Sequence, residues 1–327
     1  MTKAVFLSSG GDPFLLLFVH KLFRERFYDE VDTFYVNVNL HSPVGADVGA
    51  EVASRLVKDP KVHLIYHPRG IGNGRPITEM AQVCREDLIM LLEDDGFIFE
   101  HGKVSACFQK IESDLCDALG SPRGSCGQEI WDASKEKYGL DYTGYGDVGP
   151  NFWPCFFFCK RSDLLKTDLN FASKSFLPGE YSKELDHTFK EVNHGDTFVW
   201  ACMQLRAMGL RFESVPQFHA SPTEPDDKKN GDMNWRGSIP YWIHGGSLST
   251  AWGGYLTGSA PDLSNENAIL ELETRVAFWT ICSDVIDGFD KFKVEYKKGI
   301  ENLTTVGQLS RGRINSKVNL YRELMRV

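Results

Sequence analysis

Several features of other protein classes are missing from this chain of 327 residues. No apolar run approaches the roughly 18 residues that cross a bilayer, and Phe14–Phe23 is interrupted by His20 and Lys21. The segment Ser8–Pro13 breaks up the apolar stretch that a signal peptide would need near its start. We therefore expect a cytoplasmic protein with no transmembrane segment.

Paired cysteines, an excess of positive charge and known phosphate-binding loops are also missing. The eight cysteines include no Cys-x-x-Cys pair, which predicts reduced, mostly buried thiols rather than disulfides or zinc. The formal net charge of −9 argues against a uniformly basic nucleic-acid binder. The glycine-rich turn at residues 70–74 matches neither a dinucleotide fingerprint nor a P-loop.

The charge that is present is unevenly distributed. Residues 291–327 contain nine Lys or Arg and three Glu, so this segment carries +6 and the rest of the chain carries −15. The composition, with 42% hydrophobic and 12% aromatic residues, is that of a globular protein with a large core. We find no internal repeat.

Apolar runs alternate with helical patterns through the first half of the chain. Continuous apolar strands separated by helices indicate a mostly parallel sheet covered on both faces, whose ligands gather at the carboxyl ends of the strands. The predicted strands are Lys3–Ser9, Val31–Asn39, Val62–His67 and Asp87–Leu92, and the predicted helices are Pro13–Arg26, Asp47–Val57 and Pro76–Arg85.

The second half is less regular. Asn151–Arg161 is predicted as an aromatic strand, and Thr197–Met208 as a helix with Asp196 as its N-cap. Residues 223–262 are predicted as a long loop region rich in glycine and aromatic residues, which is typical of functional or disordered segments. From residue 264 to the end the pattern predicts helices.

Three consecutive acids, Glu93, Asp94 and Asp95, follow the fourth predicted strand directly. Carboxylates in this position are costly unless they face solvent or a cation. Their oxygen atoms suit Mg²⁺ or Mn²⁺ bound together with substrate phosphates. Asp-Asp-Gly is also favourable turn chemistry, so a solvated turn is the alternative.

Other motifs surround this acidic turn in a definite order. They are the glycine-rich turn His67–Pro76, the strand ending at Arg161, His194-Gly195-Asp196, the turn Gly209–Phe212 and the strand Val215–His219. In this order they resemble GT-A glycosyltransferases, especially inverting enzymes of the family 2 type, over roughly residues 3–220. The resemblance implies an α/β GT-A (Rossmann-like) fold, with a mostly parallel sheet, helices on both faces and a helical C-terminal extension. It divides the chain into a catalytic domain (1–222), a flexible lid or acceptor loop (223–263) and a basic helical extension (264–327).

The same resemblance implies roles for the acids. Glu93 and Asp95 stand at the first and last positions of an Asp-x-Asp motif, and Asp95 would bind Mn²⁺ or Mg²⁺ through the donor diphosphate. Asp94 would contact the ribose or a water molecule. Asp196 matches the catalytic base, and simple N-capping of a helix is its alternative.

Further residues are assigned by the resemblance with the alternatives left open. His219 matches a metal-ligand position of some members, His244 is a second candidate, and an ordinary loop histidine is the alternative for His219. The predicted nucleotide contacts outside the turn at residues 93–95 are Asp12, Asn39 and Arg75. Asn39 stands where the family has an acidic residue that binds the nucleotide base. The predicted lid or acceptor residues are Trp235, Trp242, His244 and Trp252. Their rings could stack on a sugar, and packing beneath the loop is the alternative.

The function implied is transfer of a sugar from a nucleotide-sugar to an acceptor hydroxyl, with inversion and with a divalent metal. Glu93 and Gly195 depart from the family pattern, which carries Asp and an acid at these positions. The alternatives are a nucleotidyltransferase acting on sugar phosphates and an inactive nucleotide-sugar-binding protein. The basic tail leaves open a saccharide acceptor, a hydroxymethylated base in phage DNA, an anionic membrane surface, or plain solvated helices.

Overall fold

The computed structural model describes residues 1–9, 12–39, 46–67, 74–120, 126–139, 152, 154–214, 218–219, 242–244, 248, 263, 265–305 and 309–327. Residues 68–73 of the predicted glycine-rich turn, most of the predicted lid, Trp235 and Trp252 lie outside these residues. No helix in the described ranges is both long enough and apolar enough to cross a bilayer.

A seven-stranded sheet lies at the centre of the molecule. Its strand order is β12-β6-β7-β4-β1-β2-β3, and all strands are parallel except β7, which runs antiparallel to β4 and β6. The strands are β1 (Lys3–Ser8), β2 (Thr33–Asn39), β3 (Val62–His67), β4 (Leu88–Glu93), β5 (Gly96–Ile98), β6 (Ala118–Gly120), β7 (Phe157–Lys160), β8 (Lys174–Phe176), β9 (Tyr181–Ser182), β10 (His187–Thr188), β11 (Asn193–Gly195), β12 (Phe212–Ser214), β13 (Phe218–His219) and β14 (Trp242–His244).

Helices cover both faces of this sheet. Alternate residues of β1 point to opposite faces: Phe6 belongs to a core shared with α3 and α7, whereas Val5 and Leu7 belong to a core shared with α1 and the C-terminal helices. The helices are α1 (Pro13–Leu22), α2 (Ala46–Leu56), α3 (Gly74–Val83), α4 (Lys103–Glu112), α5 (Gln128–Tyr138), α6 (Arg161–Leu164), α7 (Val199–Ala207), α8 (Glu266–Val285), α9 (Asp290–Thr305) and α10 (Arg311–Met325).

Helix α1 is apolar around most of its circumference because it is covered on two sides. One side contacts the sheet, and the other packs against the C-terminal helices α8 and α9. The ring of Phe14 contacts those of Phe289, Phe292 and Tyr296, with centroids 6.1, 5.3 and 4.7 Å away. An all-round hydrophobic helix is a buried one. The C-terminal extension therefore forms a third layer of the same core.

The predicted α/β fold, with a mostly parallel sheet, helices on both faces and a helical C-terminal extension, is confirmed. The four predicted strands and three predicted helices of the first half are all present, although α1 ends at Leu22 and continues as a π-helical turn, Phe23–Phe27. The predicted strand Asn151–Arg161 is confined to Phe157–Lys160. All eight cysteines are free thiols, and seven are buried.

The prediction of one long loop over residues 223–262 is wrong at Trp242–His244. These residues form β14, which pairs with β5. The short strands β5, β6 and β8–β11 were not predicted, because strands of two or three residues show no measurable periodicity. The helices α4 and α5 were not predicted either.

Truncating Phe14 tests whether the C-terminal helices share the core of the sheet. Phe14→Ala removes a fully buried ring between the two layers, so we expect the free energy of unfolding to fall by about 3–5 kcal/mol. Urea unfolding should still show one cooperative transition. Leu177→Ala, at a side chain that is 60% exposed, should change stability by less than about 0.5 kcal/mol. Two transitions, with only one moved by Phe14→Ala, would contradict a shared core.

Candidate active site

The sheet contains a switch point between β1 and β4. Strands β2 and β3 lie on one side of β1 in the sheet. Strand β4, the next along the chain, lies on the other side of β1 and pairs with it. Ligands of such sheets bind in the crevice outside the carboxyl ends of the strands at this point. Ser8 and Glu93 are register partners there, so the acidic turn begins at the crevice.

Asp94 joins the acidic turn to the end of β1. Its backbone amide donates to the Ser8 carbonyl at 3.1 Å, and its Oδ2 accepts a hydrogen bond from Ser9 Oγ at 2.8 Å. The residue is only 4% exposed. A buried carboxylate needs such partners, so the position of the turn is fixed by hydrogen bonds from β1.

Glu93, Asp95 and Cys155 converge on the outer side of the turn. One oxygen of each carboxylate and the Cys155 Sγ all lie within 4.8 Å of one another, and no other such group occurs among the described residues. Asp95 Oδ2 also accepts a hydrogen bond from the Leu248 amide at 3.1 Å. Burial raises the pKa of the Cys155 thiol well above its usual value, and the charges of Glu93 and Asp95 raise it further. The thiol is therefore neutral beside two carboxylates.

This donor set fits a hard divalent cation bound by the carboxylates. Mg²⁺ and Mn²⁺ take oxygen ligands at close to 2 Å, so two oxygens on one ion lie at most about 4 Å apart, and the carboxylate oxygens, within 4.8 Å of each other, are near that spacing. Both ions prefer oxygen to sulfur ligands. Glu93 and Asp95 are therefore the metal-ligand candidates in this group.

Two predicted histidines lie in register beside the acidic turn. Strands β13, β14 and β5 form a small sheet in which His219 pairs with His244, and His244 pairs with Gly96. Gly96 directly follows Asp95, so the backbone brings both histidine positions to the acids although they are more than 120 residues distant in sequence. The choice between His219 and His244 as metal ligand stays a prediction. Trp242 is in the same strand, opposite Ile98.

The predicted N-cap role of Asp196 is wrong. Helix α7 begins at Val199, two residues later than predicted, and its N-cap position is Phe198 with φ of +72°. Asp196 Oδ1 accepts a hydrogen bond from the Thr197 amide at 2.7 Å. The second oxygen of Asp196 has no hydrogen bond within the described part of the chain. Capping does not explain this half-buried carboxylate.

The left-handed backbone of Phe198 is maintained by aromatic packing. Its ring contacts those of Phe157 and Phe171 at 4.7 and 5.8 Å, and its amide donates to the Phe171 carbonyl. A positive φ is costly for an aromatic residue, and such strain clusters at functional sites. Phe157 is opposite Leu91 near the carboxyl end of β4. The strained residue that follows Asp196 therefore packs against β7, the strand next to β4.

The predicted nucleotide contacts occupy three different settings. Arg75 is exposed on the first turn of α3, and its Nε donates to Glu79 at 2.9 Å. Asn39 ends β2 at the sheet edge and pairs with His67. Asp12 is buried and caps α1, with Oδ1 accepting from the amides of Phe14 and Leu15.

Asp12 also binds the C-terminal extension, which sequence reasoning did not anticipate. The hydroxyl of Tyr296 in α9 donates to Asp12 Oδ2 at 2.8 Å. Burial raises the pKa of the Asp12 carboxyl to about 6, and the bonds from Tyr296 and the α1 amides lower it in part. Nothing near residue 296 in the sequence marks this contact, because the motif resemblance ends about 75 residues earlier.

Asn37 and Ser9 were also missed. Asn37 is fully buried in β2, and its Nδ2 donates to the Ser9 carbonyl at 3.2 Å. A polar residue within the otherwise apolar run Phe34–Val38 is the signal that could have identified it.

Comparison with known proteins gives distant structural likenesses only. No family model and no curated protein sequence matches the chain. The structure of S. aureus TarS residues 1–349 aligns over 100% of this chain and 78% of its own, with 9% identity and a TM-score of 0.42. HddC from Yersinia pseudotuberculosis aligns over 51% of this chain and 80% of its own, with 16% identity and a TM-score of 0.34. Neither likeness assigns an activity, so the function rests on the geometry of the site.

Replacing Asp12 tests the cost of its buried charge. The folded pKa of about 6 lies above the unfolded value of 3.8, so the carboxyl stabilises the fold when protonated and loses this contribution as pH rises through 6. The charged form then costs about 3 kcal/mol. Asp12→Asn retains a capping oxygen. We expect its free energy of unfolding relative to wild type to rise by about 2 kcal/mol between about pH 4 and pH 8, because part of the difference already develops below pH 4.

Urea unfolding at several pH values measures this slope. Asp114→Asn is the control, because that carboxylate is 78% exposed and should show little pH-dependent difference. A constant difference between Asp12→Asn and wild type across this range would contradict a raised pKa. A pH-independent offset from the altered bond with Tyr296 leaves the slope unaffected.

Proposed function

We propose that this protein is a metal-dependent glycosyltransferase that moves a sugar from a nucleotide-sugar to an acceptor hydroxyl, with inversion. The observation that carries the proposal is the convergence of Glu93 and Asp95 at the switch point of the sheet. Asp196, just before the strained residue Phe198, would add a carboxylate, one oxygen of which accepts no hydrogen bond within the described residues. These are the two kinds of group that the reaction requires.

Glu93 and Asp95 would hold Mg²⁺ or Mn²⁺ with the donor diphosphate. The cation would supply positive charge that stabilises the leaving phosphate as it departs from the sugar. The protein's contribution is to fix the two carboxylates before the donor binds. It does so through the bonds from Ser8 and Ser9 to Asp94, which lies between them.

Asp196 would act as the general base. The acceptor hydroxyl attacks the anomeric carbon and loses its proton to the second oxygen of Asp196, while the bond to the diphosphate breaks. The bond from the Thr197 amide to Oδ1 orients the carboxylate. Asp196 does not occupy the N-cap of α7. The helix dipole therefore stabilises its negative charge less than it would stabilise a carboxylate at the N-cap. Attack opposite the leaving group gives inversion.

The acceptor that we propose is a saccharide or another polyhydroxylated molecule rather than DNA. Four of the nine basic residues in the tail form ion pairs with acids of the protein, as Lys297 and Arg322 with Asp284, Arg313 with Glu273, and Arg326 with Glu100. These pairs neutralise part of the positive charge of the tail. A DNA acceptor would instead require a free basic surface, and steeply salt-dependent DNA binding would support it.

Substitution of the two aspartates tests the proposed roles. We expect Asp95→Asn and Asp196→Asn each to lower donor turnover by about 10²–10⁴-fold, because one loses a metal ligand and the other the base. Turnover is measured as nucleoside diphosphate release over a panel of nucleotide-sugars with Mn²⁺. Asp114→Asn, at an exposed carboxylate, should retain wild-type turnover. The proposal is abandoned if both active-site variants keep wild-type rates.

The products separate this function from its alternatives. A glycosyltransferase releases a nucleoside diphosphate, whereas a nucleotidyltransferase that acts on a sugar phosphate releases or consumes pyrophosphate. An inactive binding protein would bind nucleotide-sugars tightly with Mn²⁺ and release neither product with any acceptor.

Metal titration tests the donor set itself. We expect Asp95→Asn to weaken Mn²⁺ binding by at least about 10-fold, because an anionic oxygen ligand is lost. Cys155→Ala should leave Mn²⁺ affinity within about 3-fold, because Mn²⁺ prefers oxygen ligands to sulfur. Calorimetry with Mn²⁺ alone measures both. A large loss of affinity in Cys155→Ala would show that the thiol coordinates the ion.

A further inference from the structure

The C-terminal helices contact the structure that carries the acidic turn at one buried point. Tyr296 of α9 is 1% exposed, and its hydroxyl donates to Asp12 Oδ2 at 2.8 Å. Asp12 is 2% exposed and also caps α1. Both carboxylate oxygens therefore have partners, one from the sheet domain and one from the extension.

Three residues before Asp12, the same loop binds the acidic turn. Ser9 Oγ donates to Asp94 Oδ2 at 2.8 Å, and the Ser8 carbonyl accepts from the Asp94 amide at 3.1 Å. We call Ser8, Ser9 and Asp12 the β1–α1 strap. Asn37 of β2 also binds the strap, because its Nδ2 donates to the Ser9 carbonyl. One end of the strap is thus bonded to the acidic turn and the other to α9.

The groups around Asp12 are close enough to act on one another electrostatically. Cys282 of α8 and Tyr296 of α9 both have their pKa raised, first by burial and next by the charge of Asp12, and the charge of Asp94 also contributes. Asp12, Tyr296, Cys282 and Asp94 are all buried, and Asp12 shares a hydrogen bond with Tyr296. In a buried network the loss of one hydrogen bond affects its neighbours.

We propose that Tyr296 is a positioning residue for the metal-binding acids, acting through Asp12 and the β1–α1 strap. The C-terminal extension is then part of the catalytic machinery and does more than shape the acceptor side. Tyr296 does not touch the metal or the donor. It fixes Asp12, and the strap in turn fixes Asp94 between Glu93 and Asp95. This inference rests on the proposed metal-binding function.

A matched pair of tyrosine variants tests the proposal. Tyr296→Phe removes one Tyr-to-Asp hydrogen bond near the acidic turn. Tyr28→Phe removes the same kind of bond, from the Tyr28 hydroxyl to Asp59 Oδ1 at 3.1 Å, near the amino ends of β2 and β3. Both variants keep the aromatic ring, and both should lose some stability. Only Tyr296→Phe should alter the metal site.

Mn²⁺ alone is the probe, measured by calorimetry and by the electron paramagnetic resonance spectrum of the bound ion. We expect Tyr296→Phe to raise the Mn²⁺ dissociation constant about 3- to 10-fold and to change the zero-field splitting, whereas Tyr28→Phe changes neither. Ser9→Ala, at the other end of the strap, should act in the same direction. The double variant Ser9→Ala with Tyr296→Phe should lose less affinity than the two single effects combined, because both act on one path.

The outcomes are distinct. If wild-type protein binds no Mn²⁺, the proposed function falls and this inference falls with it. If wild type binds Mn²⁺ and Tyr296→Phe matches Tyr28→Phe in affinity and spectrum, only the positioning role of Tyr296 is rejected. Should Tyr296→Phe fail to fold, Asp12→Asn replaces it in the same measurements. A wild-type metal site in Asp12→Asn overturns the inference.

Discussion

The hydrogen bonds that join Asp94 to Ser8 and Ser9, at the end of β1, are the interaction on which the rest of the site depends. Three neighbouring carboxylates at the end of a buried strand repel one another and lose hydration. Ser9 Oγ and the Ser8 carbonyl bind the side chain and amide of the middle acid, which leaves its two neighbours turned toward Cys155 and the crevice. The parallel pairing of β1 with β4 brings these groups together, so the chemistry depends directly on the register of the sheet.

The same loop explains why the C-terminal helices cannot be regarded as an appendage. They cover the outer side of α1 with aromatic rings, and Tyr296 binds the residue that caps this helix. The buried Asp12 carboxylate is tolerated because it receives hydrogen bonds from both sides. A core of three layers thus supports the crevice from beneath, while β13 and β14 approach the acidic turn beside it.

Much of the first half could be predicted because its strands are continuous apolar runs and its helices have clear caps. Val62–His67 was predicted with the observed bounds, and Asp12 and Pro13 begin α1 as expected. The acidic turn was identified for the same reason, since acids after an apolar strand stand out. The start of α7 was missed because Phe198 adopts a left-handed backbone that only its packing against Phe157 and Phe171 can support.

The sequence alone determined the class of fold and the position of the acids at the end of β4, because hydrophobic periodicity is a local property of the chain. Only the tertiary structure decided which groups meet those acids. Ser9, Cys155, Leu248 and the backbone of His244 all approach residues 93–96 from distant parts of the chain. Their contacts arise from strand order and register, which depend on the free energy of the whole core and leave no signal in any one segment.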